Sequence, residues 1–262
     1  MSDTSNEINS HVQITRSILK NFETTNKELY FLDFNSDEIK ISNSKKLGTI
    51  KGYYCPFVEE FLCKKVENKV GNIFKDISDF AENTKKEVLI NDINIVKRYV
   101  EYSIVRGKKY FENIKEKIDS KYNILDKWLH NLIIATYIEN NILDDYKTTL
   151  FINKTDVKFI TLSNTIYVLS ENNMDWIVLP ITPFVCIAFS KECDNVIKKK
   201  KVNNDLLYEC KHRNIIDSSL IEKMNRSALV MELCTSNEFL TGDNMELKKL
   251  QEYKNELWRK KK

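Results

Sequence analysis

KFITLSNTIYVLS at residues 158–170 and WIVLPITPFVCIAFS at residues 176–190 form the stretch that decides the fold. Both segments are rich in Val, Ile, Phe, Tyr and Trp, which are enriched in β-strands. Breaker residues divide them into short apolar runs. The runs predict four strands, at residues 159–162, 166–169, 176–179 and 184–189.

The first two of these runs are separated by a small polar insert, Ser163, Asn164 and Thr165. Polar residues of this kind favour turns because their side chains hydrogen-bond to nearby backbone. Such an insert is typical of a turn that presents side chains to a site. It is equally typical of an ordinary hairpin turn, so both interpretations stay open.

Composition sets the broad class of the protein. The chain has 262 residues, with 42% hydrophobic and 30% charged residues, which is typical of a globular domain with a sizeable core. Its wealth of Lys, Asn and Ile is typical of an AT-rich bacterial genome. A net charge of +3 is too small to imply a polyanionic partner by itself. The first ten residues carry no apolar secretory segment, and residues 176–189 are too short to span a bilayer. We therefore expect a cytoplasmic protein with no membrane partner.

The remaining patterns alternate between strands and helices. A turn-type sequence at residues 35–37 predicts a hairpin. Apolar periodicity predicts helices, with Asn91 and Asp92 capping one of them and Trp128, Leu132 and Ile133 buried at the centre of another. The predicted helices are residues 16–22, 56–80, 93–111, 124–142, 217–234 and 245–258, and the hairpin strands are residues 29–34 and 38–42. Two basic runs, residues 198–201 and 259–262, are predicted as a solvated loop and a frayed tail.

This order predicts an α+β fold. A central helical block would stand between a small N-terminal hairpin and a larger antiparallel β element, with terminal helices. We expect a disordered N-terminus at residues 1–10, a single domain at residues 11–239, and a C-terminal helix with a basic tail at residues 240–262.

No familiar catalytic signature occurs in the chain. It has no glycine-rich phosphate loop, no dinucleotide fingerprint, no nucleophile elbow and no kinase motif. The six cysteines form no Cys-x-x-Cys pair, so a structural zinc site is not indicated. Glu60 and Glu67 are seven residues apart in a predicted helix, which places them on nearly the same side. An ordinary solvated face is the alternative explanation of that pair.

A collinear series of segments resembles a bacterial family called domain of unknown function 4238. The segments are SHVQITRSILKNF (10–22), LYFLDF (29–34), VEEFLCKKVE (58–67), VEYSIVRGKKYF (100–111), FITLSNTI (159–166), LPITPFVCIAF (179–189) and IEKMNRSALV (221–230). Two departures matter. Thr15 replaces a proline of the family pattern, and Ser163-Asn164-Thr165 replaces Asp-Asn-Pro. If that aspartate held a metal, a serine hydroxyl could not supply its charge.

The resemblance implies a set of site residues. The implied catalytic residues are His11, Glu60, Glu67 and Arg106, and the implied substrate-binding residues are Arg16, Thr161, Ser163, Asn164 and Asn225. Under one hypothesis the glutamates hold Mg²⁺ or Mn²⁺ and the arginine stabilises phosphate charge. The protein would then be a nuclease-like effector acting on nucleic acid, of toxin or phage-defence type.

A second hypothesis is a non-catalytic binding or regulatory module with a degenerate site. The missing aspartate of the family pattern motivates this hypothesis. Separately, a Glu60–Arg106 ion pair that only holds the helical block together is the structural alternative to the catalytic constellation. We expect Glu60 and Glu67 on one side of a single helix, with one of them facing Arg106. Convergence of Glu60, Arg106, Ser163 and Asn164 in one pocket would favour an enzyme or ligand site, and dispersal would favour a module.

Overall fold

A computed structural model describes residues 9–12, 14–82, 89–90, 93–116, 126–136, 142–171, 174–191, 198–202, 205–209, 212–235 and 238–259. The helices are α1 Arg16–Asn21, α2 Pro56–Phe61, the π-helical segment Leu62–Glu67, α3 Asn68–Ala81, α4 Ile93–Arg106, α5 Lys108–Lys115, α6 Asp126–Thr136, α7 Ser218–Thr235 and α8 Asn244–Arg259. The strands are β1 Asn9–His11, β2 Leu29–Asp33, β3 Glu38–Ser42, β4 Thr49–Lys51, β5 Leu89–Ile90, β6 Lys147–Asn153, β7 Thr161–Leu162, β8 Tyr167–Glu171, β9 Met174–Thr182, β10 Val185–Ser190, β11 Lys198–Val202, β12 Asp205–Glu209, β13 His212–Ile215 and β14 Phe239–Gly242.

The central sheet has five strands in the order β13-β6-β10-β9-β8. Its neighbouring strands are antiparallel, except that β13 runs parallel to β6. Every residue of β10 is buried. Ile187 and Phe189 join one hydrophobic core, while Cys186 and Ala188 join a second core. The alternation arises because successive strand side chains point to opposite faces of a sheet.

The two cores lie on either side of this sheet. The first includes the apolar stripe of α3, where Val70, Phe74 and Ile77 are spaced at one helical turn or two. The second includes Met224 of α7 and Leu247 of α8. Helices on both sides of a mainly antiparallel sheet confirm the predicted α+β class.

A four-stranded sheet in the order β3-β2-β14-β7 completes the second core. The predicted hairpin forms its β2–β3 edge. Strand β14 was not predicted from the sequence, although it lies at the centre: Leu240 is opposite both Leu32 and Leu162. The domain boundary predicted after Phe239 falls inside this strand.

Two segments differ from the sequence-based expectation. Asn9 to His11, in part assigned to a disordered N-terminus, form β1, which pairs with β4. Residues 198–201, predicted as a solvated loop, lie in β11, which pairs with β12. In both cases the backbone hydrogen bonds of a partner strand override a composition that disfavours strands. Residues 1–8 and 260–262 lie outside the described part of the chain.

The face that α6 buries also differs in part from the prediction. Leu129 and Ile133 are four residues apart and both are buried, so they mark the face toward the core. Leu132 lies on another side of the helix and is 55% exposed, so the prediction that it is buried was wrong. The side chain of Trp128 lies outside the described residues, and so do Asn91 and Asp92.

Leu129 and Leu132 offer a matched test of this orientation. We expect Leu129→Ala to lower the free energy of unfolding by about 2–5 kcal/mol, the usual cost of a buried cavity. Leu132→Ala should change it by less than about 0.5 kcal/mol, because more than half of this residue is already exposed to water. Urea denaturation of both variants gives the comparison. Equal losses would contradict the described orientation of α6.

Candidate functional site

An ion pair between Glu67 and Arg106 forms the centre of the candidate site. Arg106 ends α4, and its Nη2 donates to Oε1 of Glu67 at 2.7 Å. The arginine side chain is only 3% exposed, while the glutamate side chain is 26% exposed. One of the two predicted glutamates therefore faces Arg106, and it is the member of the pair that reaches solvent.

Glu60 does not join this site. The segment Leu62–Glu67 is π-helical, with i→i+5 bonding that places more residues in each turn than an α-helix does. Seven residues therefore no longer return to the same side, and the spacing argument for Glu60 and Glu67 fails. Glu60 is exposed and pairs with Lys64 on the surface. Segments of π-helix occur frequently at functional sites.

Two tyrosines enclose the arginine. The ring of Tyr54 lies 5.5 Å from the guanidinium carbon of Arg106, a cation–π contact. The hydroxyl of Tyr54 donates to the backbone oxygen of Val12, next to His11. Tyr99 hydrogen-bonds to Thr15 at 2.9 Å, and burial raises its pKa to about 12. Both tyrosines therefore stay neutral near pH 7, and they tie the N-terminal segment to the helical block.

His11 brings a neutral imidazole to the same site. Burial lowers the pKa of His11 from 6.5 to about 4; Glu67 opposes this shift, and Arg106 and Arg16 add to it. Nδ1 of His11 is buried and has no hydrogen-bond partner among the described residues. His11 is thus an unprotonated base at neutral pH, within electrostatic range of the ion pair. Arg16 is exposed at the rim.

The Ser163–Thr165 insert forms a strained turn beside the arginine. The amide of Ile166 donates to the oxygen of Asn164 at 2.7 Å, across Thr165 with φ +66°. An i→i+2 bond around a positive φ is the rare form of γ-turn, and a β-branched residue rarely adopts it. Such strain concentrates at functional sites. The positive φ at Thr165 is compatible with a functional turn, and both interpretations of the insert remain predictions.

Asn164 contacts the residue that follows Arg106. A Cβ atom on Gly107 would lie 2.8 Å from Nδ2 of Asn164, so only glycine leaves room for this carboxamide. Oδ1 of Asn164 and Nε of Arg106 are both buried without a hydrogen-bond partner in the described residues. Buried polar atoms are usually satisfied, so these atoms indicate a place for a ligand or water.

The other predicted substrate-binding residues lie elsewhere. Ser163 donates to Oε1 of the fully buried Glu232 on α7. Asn225 accepts from the Ile160 amide and donates to the Lys158 oxygen, which fixes this segment to α7. Thr161 is buried in β7, opposite Thr241. The structure therefore brings together His11, Glu67 and Arg106, with the exposed Arg16 in electrostatic range of His11 and Asn164 against the adjacent Gly107. Glu60 faces solvent, and the side chains of Ser163, Thr161 and Asn225 are directed to other contacts.

Sequence reasoning did not select Tyr54, Tyr99 and Gly107 as site residues, and it noted Thr15 only as a departure from the family pattern. The three side chains sit in apolar patterns or beside them, where they resemble ordinary core or capping positions. Gly107 carried a usable signal, because the chain has only 5 glycines and this one follows Arg106 directly.

The site does not assemble a metal centre from described residues. Within the described ranges, no group of three His, Cys, Asp or Glu side chains is placed to hold a metal ion. Glu67 and His11 supply two donors, and Glu67 is already paired with Arg106. The arrangement offers a neutral base, a guanidinium donor and a carboxamide.

The low pKa of His11 gives a direct prediction. The pKa of His11 is lower in the folded protein than in the unfolded chain. As the pH falls, the unfolded chain therefore binds this proton first. The contribution of His11 to stability is therefore complete above about pH 6.5 and decreases toward pH 4. An NMR titration should show one imidazole resonance whose chemical shift changes with a midpoint near pH 4. The His11→Gln variant identifies this resonance, because the resonance should be absent from its spectrum. A midpoint near 6.5 would show that the imidazole is not in this buried environment.

Ser163→Asp tests whether the turn is a degenerate metal site. The new carboxylate would lie against the buried Glu232, and two adjacent carboxylates cannot both ionise at low cost. We expect an unfolding free energy lower by about 2 kcal/mol or more, partly restored at acidic pH. Ser163→Ala, which loses one hydrogen bond, should cost about 1 kcal/mol. Urea denaturation measures both, and stabilisation of Ser163→Asp alone by Mg²⁺ or Mn²⁺ would support a metal site.

Comparison with known proteins places the whole site within one family. No helix in the described residues is long and apolar enough to cross a membrane. No curated protein and no solved structure matches the chain. The family model described as "Protein of unknown function (DUF4238)" matches residues 11–244, a range that contains every residue of the site. The chain therefore belongs to the DUF4238 family.

Proposed function

We propose that this protein is a nuclease-like enzyme that cleaves phosphodiester bonds in nucleic acid. The observation that carries the proposal is the convergence of His11, Glu67 and Arg106 from three distant segments, with unpartnered polar atoms on His11 and Arg106. Titratable groups with strongly perturbed environments that lie close together are typical of active sites.

Each group has a role in this reaction. His11 accepts a proton from the nucleophile, since its imidazole is neutral at physiological pH. Arg106 stabilises the charge that develops on the phosphate oxygens. Glu67 holds the guanidinium in place through its ion pair. Arg16 at the rim attracts the nucleic-acid backbone.

The alternative is a non-catalytic binding module. One observation favours it: Glu67 already balances the charge of Arg106, so the pair could serve only to join α4 to the π-helical segment. Such a module would bind nucleic acid without cleaving it. The finer proposal, a cytoplasmic effector of toxin or phage-defence type in a bacterium, depends on the nuclease activity.

The test incubates the purified protein with pools of RNA and DNA, with and without Mg²⁺ or Mn²⁺. We expect cleavage that falls by about 10²–10⁴-fold in His11→Gln, the usual contribution of a general base. Glu67→Gln should also lose activity, because it leaves Arg106 without its ion-pair partner.

Matched controls come from the same chain. His212→Gln changes an exposed histidine on β13. Glu60→Gln changes an exposed glutamate in α2, before the π-helical segment that ends at Glu67. Both should retain wild-type cleavage. Binding without cleavage would support the module, and cleavage that persists in His11→Gln would refute this catalytic assignment.

A further inference from the structure

We propose that the substrate is RNA and that the attacking nucleophile is the ribose 2′-hydroxyl next to the scissile phosphate. This inference rests on the proposed phosphodiester cleavage and names the substrate class of the same site.

A metal-bound hydroxide is not supported by the donors at the site. Activation of water for attack on phosphate commonly uses a metal held by several protein ligands. The described side chains provide no group of three such ligands. Glu60, the second predicted carboxylate, is exposed on another side and pairs with Lys64.

A protein nucleophile is also disfavoured. Ser10 precedes His11, is 1% exposed, and donates its hydroxyl to Glu59 at 2.8 Å. The hydroxyl of Thr15 is equally buried and is bonded to Tyr99. Both hydroxyl groups are already hydrogen-bonded, whereas Nδ1 of His11 and Nε of Arg106 are buried without a partner among the described residues. Neither hydroxyl is therefore the expected nucleophile toward a phosphate.

Attack by the 2′-hydroxyl of RNA requires neither a metal-bound hydroxide nor a nucleophile from the protein. This hydroxyl is held next to the phosphorus by the ribose itself, and such intramolecular reactions have a large effective concentration. It needs only a base and a donor for the developing charge. The unpartnered Nδ1 of His11 and Nε of Arg106 supply these two functions. DNA has no hydroxyl at this position, so the 2′-hydroxyl distinguishes the two polymers.

The step balances without a co-reactant other than water. The proton of the 2′-hydroxyl moves to Nδ1 of His11 as the 2′-oxygen bonds to phosphorus. The bond between phosphorus and the 5′-oxygen breaks, and that oxygen takes a proton from water. The imidazolium then returns its proton to solvent, which is favourable because burial lowers the pKa of His11. The products are a 2′,3′-cyclic phosphate and a 5′-hydroxyl.

The burial of the site also selects the form of the RNA. Arg106 is 3% exposed, and its partner Glu67, at 26%, is the more exposed member of the ion pair. A phosphate held in a rigid A-form helix has little freedom to approach a buried guanidinium. A single strand can bend its backbone toward it, so single-stranded RNA is the expected substrate.

The experiment compares three oligonucleotides of one sequence: single-stranded RNA, its DNA counterpart, and the same RNA with 2′-O-methyl groups throughout. All are incubated with the wild-type protein in EDTA, and mass spectrometry identifies the product ends. We expect RNA to be cleaved to cyclic phosphate ends, and the DNA and 2′-O-methyl strands to react at least about 100-fold more slowly. His11→Gln should lose RNA cleavage, while His212→Gln retains it.

The outcomes separate the inference from the proposed function. Comparable cleavage of DNA, linear phosphate ends without a cyclic intermediate, or loss of activity in EDTA would overturn the 2′-hydroxyl inference and leave the nuclease proposal standing. Cleavage of none of the strands, with or without Mg²⁺ or Mn²⁺, would overturn both. The substrate comparison uses only wild-type protein, so a variant that fails to fold does not affect it.

Discussion

The buried ion pair between Glu67 and Arg106 is the constraint on which the helical block depends. Arg106 is almost completely removed from water, and a buried charge without a partner would cost about 3–5 kcal/mol. The end of α4 must therefore face the end of the π-helical segment. The extra residue in each π turn rotates Glu67 toward Arg106.

Around this pair, the fold brings together segments that are far apart in the chain. Tyr54 links the guanidinium to the backbone beside His11, and Asn164, from the turn before β8, lies against Gly107, the residue after Arg106. Two hydrophobic cores hold these segments, because each lies on one side of the five-stranded sheet. The close approach of Asn164 depends on Gly107, where a side chain has no room. The strained γ-turn at Thr165 persists because packing on both sides determines its position.

The sequence predicted those features whose signal is local. Strand β10 follows from a continuous apolar run, and the stripe of α3 follows from its helical period. The contact between Arg106 and one of the two glutamates followed from family resemblance. Glu60 was misplaced because the spacing argument assumes an α-helix throughout. Strand β14 has only four residues, one of them glycine, so it depends on neighbours that no local pattern reveals. Tyr54 and Tyr99 were missed because each looks like an ordinary core aromatic in the sequence. The sequence does not show that their hydroxyl groups meet residues far away in the chain.

The charge balance of the site bears directly on how it would catalyse a reaction. Glu67 neutralises Arg106, and His11 carries no charge near pH 7, so a substrate phosphate gains little electrostatic attraction in its ground state. The unpartnered Nε of Arg106 is a donor in a medium of low polarity. Its hydrogen bond strengthens as negative charge develops on the phosphate oxygens. Only interactions that are stronger in the transition state raise the rate, so under the proposed function the uncommitted Nε of Arg106, and not the net charge of the site, would supply the stabilisation.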